Sequence, residues 1–168
     1  MSDQKELRID VDGYDDVTQA LRDLFDSYPG LGPGEYFSFS EAPECGGRSI
    51  FTSGGATIYS EAESITGHIT QMCQYPMTVV FRIAGLSENK KAKAKEWLDN
   101  FGRWLERQEV IIEGEKHKLK EYPQLHGNRK FWSISRTTPA ILGVINDDKT
   151  EEWVMDINAK YRNEFDTF

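Results

Sequence analysis

Between Tyr75 and Gln108 the spacing of apolar residues changes once, from a period of two to a period of about 3.6, and that switch predicts the core of the protein. Met77, Val79, Phe81 and Ile83 alternate with Thr78, Val80, Arg82 and Ala84, as on a strand with one buried face. Gly85 breaks the alternation. Ser87 stands where a hydroxyl can cap a helix by accepting from backbone N–H groups that lack helical partners. In that helix Ala94, Trp97, Leu98, Phe101, Trp104 and Leu105 recur at spacings of three and four, while Lys90, Lys91, Lys93 and Lys95 hold its solvent side. Burying the aromatic stripe releases roughly 5–10 kcal/mol of gross transfer energy at about 25 cal/mol per Å². A strand and a helix of this kind need a sheet to lie on.

The flanking patterns supply it. Val17, Ala20, Leu21, Leu24, Phe25 and Tyr28 predict a first helix over 14–28, with Asp12 or Asp15 as cap and Pro29-Gly30 as its end. Phe37 and Phe39 alternate in a short strand, and Ile50-Phe51 marks another inside a Gly/Ser-rich loop. Residues 56–75 read as β-rich, with Ile69, Cys73 and Tyr75 on one side, and pair with 77–84 through a tight connection near Pro76. Residues 131–136 form a strand, 137–145 a strand or a loop, and Asn146, Asp147 and Asp148 a turn. From Trp153 to Arg162 the alternation is perfect.

The fold class expected is therefore α+β: a mostly antiparallel β-sheet with one or two helices packed on one face, and extended loops and arms free for contacts between subunits. Residues 1–168 make a single α+β domain, with 1–12 a flexible acidic arm and 109–130 an exposed loop excursion rich in charge.

Composition narrows the function. With 38% hydrophobic and 12% aromatic residues the chain can build a core rather than stay disordered. A net charge of −8 disfavours a nucleic-acid binder, which shows a basic face. No apolar run approaches the ~20 residues of a membrane span, and the polar start MSDQKELRID does not resemble a signal peptide. The chain is expected to remain where it is made or to be packaged into a particle, and Cys45 and Cys73 to be free thiols.

Chemistry is sparse. His68, His117 and His126 never share a helical metal spacing, and neither cysteine has a base beside it in sequence, so no catalytic, cofactor or metal residues are expected. The pairs Gly46-Gly47 and Gly54-Gly55 do not lead into helices as phosphate loops do, and the S-x-x-K spacing at Ser87–Lys90 is accounted for by the helix cap. Asp147-Asp148 is turn chemistry. One charged group stands out: Lys116, Lys118, Lys120, Arg129 and Lys130 form a candidate interface for an acidic partner or nucleic acid, against the plainer reading of a solvated loop.

The strand YPMTVVFRIAG followed by the helix KAKEWLDNFGRWLERQ, the closing INDDKTEEWVMDINAKYRNEF and the early EYFSFSEAP resemble the minor capsid or tail-terminator (head–tail joining, tail completion) proteins of tailed phages. The resemblance covers residues 14–165 in the order of elements, and departs from it in the charged excursion at 109–130. It implies a non-enzymatic virion component made in the bacterial host cytoplasm, with no cofactor. Such proteins form a homo-oligomeric ring, commonly a hexamer, that caps the tail tube and joins it to the neck or connector, beside any sheath proteins, and DNA passes through without specific binding. The alternative is a monomeric α+β domain or small enzyme that uses the pocket between sheet and helix.

Overall fold

A computed structural model describes residues 8–85 and 87–167. Its frame is a ribbon of two antiparallel strands, β5 (His68–Ala84) and β10 (Thr150–Asp166), paired from Thr150↔Ala84 to Asp166↔His68. At 17 residues each they span about 55 Å. Each long strand has two short neighbours on its outer side. Along β5 these are β4 (Thr57–Glu63) at its start and β3 (Arg48–Thr52) toward its end. Along β10 they are β9 (Ile141–Ile145) at its start and β8 (Arg129–Arg136) toward its end. β1 (Arg8–Ile9) pairs with β4, and β2 (Phe37–Phe39) pairs with β3 in parallel. The fold is α+β with a mostly antiparallel sheet.

Both helices, α1 (Tyr14–Asp26) and α2 (Glu88–Leu105), lie on one face. That face receives Tyr75, Met77, Val79, Phe81 and Ile83 from β5, and Met155, Ile157, Ala159 and Tyr161 from β10, all buried. From above, α2 contributes Ala94, Leu98, Phe101, Trp104 and Leu105, and α1 contributes Val17, Leu21, Leu24 and Phe25. Ser87 is the N-cap of α2 in extended backbone, but its side chain makes no capping bond. Neither Asp12 nor Asp15 caps α1. Gly13 does, and its N–H donates to Asp10 Oδ1 at 3.3 Å. The C-terminal end of α2 is tied to β8 by Glu106, which accepts from the backbone N–H, Nε and Nη2 of Arg136. Among the described residues the sheet's other face carries no helix and is laced by cross-strand pairs: Arg82 with Glu152, Thr78 with Asp156 at 2.6 Å, and Asn158 with Gln74 at 3.3 Å.

Three further expectations change. The connection expected at Pro76 does not exist, because β5 runs straight through it. Tyr75 and Met77 are both buried on the same face, so the alternation passes the proline without a break. Proline donates no N–H, and Pro76 falls in the gap between Gln74, the last residue of β5 beside β4, and Met77, the first beside β3.

The segment 109–130 is not wholly an excursion. β6 (Val110–Ile112) and β7 (Glu115–His117) form a hairpin across Glu113-Gly114, both at positive φ as a tight two-residue turn requires. Val110 and Leu125 are buried, and the Tyr122 hydroxyl donates to the carbonyl of Leu105 at 2.7 Å while accepting the Ile134 N–H.

The arm expected at 1–12 divides. Residues 1–7 lie outside the described part, whereas Arg8 and Ile9 pair with Ile58 and Thr57 and Asp10 is buried.

Candidate functional site

A mostly apolar concavity of about 420 Å³ lies where α2 begins above the far end of β5. Its floor is Phe81, Ile83 and Ala84 of β5 with Arg48 of β3, and its wall is Lys90, Lys93, Ala94 and Trp97 of α2. The loop carrying Cys45 and Gly46 closes the third side. That loop is held by two backbone hydrogen bonds to Arg82, and Gly46 has a φ of +84° that an L side chain rarely adopts.

Arg48 is the unusual member. The register places it opposite Phe81 on the helix face, where an aliphatic residue would be ordinary. Its guanidinium lies 4.3 Å from the ring centroids of both Phe81 and Trp97, and Nη1 is 3.3 Å from Glu35 Oε2. Burial pulls its pKa down while the charge of Glu35 opposes that shift; arginine stays charged regardless. Its Nε is buried and has no hydrogen-bond partner. The lining is mostly apolar, contains no acidic side chain, and holds the positive charges of Arg48, Lys90 and Lys93. A volume of this order suits a small ligand or the tip of another protein. What the arrangement offers is an apolar seat under positive charge. It holds no nucleophile–base pair, and among the described residues no cluster of His, Cys, Asp and Glu is placed to hold a metal ion.

A second constellation is structural. Asp10 accepts from Arg129 Nε at 3.0 Å and Nη2 at 2.7 Å, and from the Tyr161 hydroxyl at 2.6 Å. Burial pushes the Asp10 carboxyl up. The hydrogen bonds from Arg129 and Tyr161, the Arg129 charge and the Gly13 N–H outweigh it and leave the pKa lowered. A methyl group at Gly13 would run into both Asp10 and Arg129, so only glycine fits where α1 starts. Close by, burial first and the Asp10 charge second push the Cys73 thiol up to about 11. Cys45 is exposed and Cys73 fully buried. At about pH 8 a maleimide should therefore modify Cys45 alone in the native protein and both cysteines in denaturant. Mass spectrometry reads the difference, and rapid native labelling of Cys73 would contradict its placement.

The five basic residues singled out from the sequence are not one patch. Lys116 is on the β6–β7 hairpin, 3.9 Å from Glu109, and Lys118 and Lys120 follow it, all exposed. Lys130 is exposed on the helix-free face of β8. Arg129, one residue earlier, points to the helix side, where Asp10 and Tyr161 enclose it, so it is withdrawn from any interface.

Two features were missed or left undecided by sequence reasoning. One is Arg48, which sits among glycines and serines in a stretch of loop-like composition. The other is β9, Ile-Leu-Gly-Val-Ile, in a stretch read as strand or loop, which among the described residues pairs only with β10 and exposes Ile141, Leu142, Val144 and Ile145 by 50%, 39%, 48% and 66%. The run of apolar residues was visible; that it lies at an edge was not.

The chain matches no family model and no curated protein. The chemistry of these surfaces has to carry the functional reading.

Proposed function

We propose that the chain is a structural component of a phage tail or tail-like particle, a ring-forming tail terminator that caps the tail tube and joins it to the neck. In this reading it assembles with itself, as a hexamer, and contacts tube, neck or connector, and sheath proteins at the tail. The observation that carries it is β9. A free strand edge with four exposed apolar side chains and no charge or proline is a template for pairing, and proteins that stay single blunt such edges. An assembly protein keeps one because a neighbour covers it.

Changing Val144 and Ile145 together to Lys leaves the buried core untouched, so folding stability should move by no more than about 0.5 kcal/mol. Association should weaken by about tenfold or more, since the change puts charge into an interface. Sedimentation over a concentration series reads this, and an unchanged mass distribution would remove β9 from the interface.

The pocket between α2 and the sheet favours a second reading, a monomeric small-ligand-binding domain. A chain that remains single while the pocket binds a small apolar anion would establish that reading instead.

A further inference from the structure

We infer that the tip of the β4–β5 hairpin of one copy seats in the Arg48–Lys93 pocket of the next, so that copies join head to tail. This rests on the ring reading above and names the surfaces that would build the ring.

The two features are complementary in shape and in charge. At the tip, Ile65 is fully exposed, an isolated aliphatic knob. The turn beneath it is well held: the Ser64 N–H donates to the His68 carbonyl at 2.8 Å, Gly67 N–H to the Ser64 carbonyl at 3.0 Å, and the Thr167 backbone to the Gly67 carbonyl at 2.9 Å. The knob is thus presented in a fixed position and loses little freedom on docking. The strand ends that carry it hold Glu61 and Glu63 on β4 and Glu164 and Asp166 on β10. Arg8 and His68 pair with Glu61 and Asp166, and the local balance stays negative.

The pocket is the converse. It is apolar within and cationic at the mouth. Lys91 and Lys95 are engaged with Glu151 and Asp99. Lys90 and Lys93 have no carboxylate within ion-pair distance among the described residues. Arg48 is balanced by Glu35, so in a chain of net charge −8 the unpaired Lys90 and Lys93 make the mouth of this concavity a local reversal of sign.

Position decides that the contact is between copies. The hairpin tip is at the His68 end of β5 and the pocket at its Phe81–Ala84 end, separated by about 45 Å of strand. One copy cannot reach itself. A contact between two different surfaces also leaves each copy with one free tip and one free pocket, which either closes a ring or runs on as a filament.

The native Cys45, on the pocket's lip, supplies the test. Thr66→Cys places a second accessible thiol beside the knob and keeps Ile65, while Cys73 stays buried. Treatment with a short bismaleimide should give a ladder of covalent multiples beyond the dimer, and the same variant carrying Cys45→Ser should give none. Lys93→Glu should weaken assembly of the otherwise wild-type chain by about tenfold or more, and Glu63→Lys added to it should restore assembly. A ladder that survives Cys45→Ser, or no ladder while the wild-type chain still forms multimers, overturns the head-to-tail contact and leaves the ring reading standing. A wild-type chain that never associates overturns the ring reading itself.

Discussion

Replacing Phe101 by Ala is expected to lower the free energy of unfolding by about 3–5 kcal/mol, the usual cost of emptying an aromatic site in a core. Phe101 is fully buried, and its ring lies between 5.0 and 6.4 Å, centre to centre, from those of Phe25, Tyr28, Phe37, Trp97 and Trp104. These come from α1 and the turn after it, β2 and α2, so one side chain joins both helices to the sheet's edge. The surrounding rings are rigid and already held by other contacts, which limits how far the cavity can collapse. Since small domains are stable by only about 5–15 kcal/mol, the variant should be near its threshold at 37 °C. Urea unfolding would show a lower midpoint at unchanged slope. A loss under 1 kcal/mol would mean that the stripe on α2 is not the organising core.

Asp10→Ala should cost about as much, roughly 3–5 kcal/mol, for a different reason. The substitution leaves Arg129 charged inside the protein and deprives the Tyr161 hydroxyl of its acceptor. Changing Asp10 to Leu and Arg129 to Met together should recover much of that loss, because no unpaired charge then remains. The pH dependence has a definite sign. The folded pKa of Asp10 lies below the unfolded value near 3.8, so its contribution is present above that value and fades as pH falls below it toward the folded pKa. Acid unfolding of the wild type should thus begin below about pH 4, and Asp10→Asn should flatten stability in that range. An Asp10→Ala protein as stable as wild type would show that the start of the described chain is not pinned here.

What was legible in the sequence was periodicity. Met77 to Ile83 and Trp153 to Tyr161 alternate because one face of each strand meets the helices, and the Ala94–Leu105 stripe repeats at helical spacing because α2 has a single buried side. These patterns placed the α+β class and its core. Long-range pairing was not legible. Pro76 reads as a break locally, yet the strand on its outer side is absent there, so its missing N–H disrupts no pairing with β3 or β4. Residues 109–130 read as loop because charge dominates, while the few apolar residues, Val110, Tyr122 and Leu125, anchor it without any regular spacing. Arg129 looked like one cation among five, since nothing local shows that Asp10, far away in the chain, lies beside it. The pocket is built from β3, β5 and α2, three segments that only the fold assembles.

The central claim is association of identical copies, and native mass spectrometry of the purified chain across a concentration series tests it most directly. The ring reading predicts a dominant species at six times the 19.3 kDa chain mass, without a ladder of ever-larger oligomers. A single 19.3 kDa species at every concentration, alone and with tail-tube protein added, would contradict it.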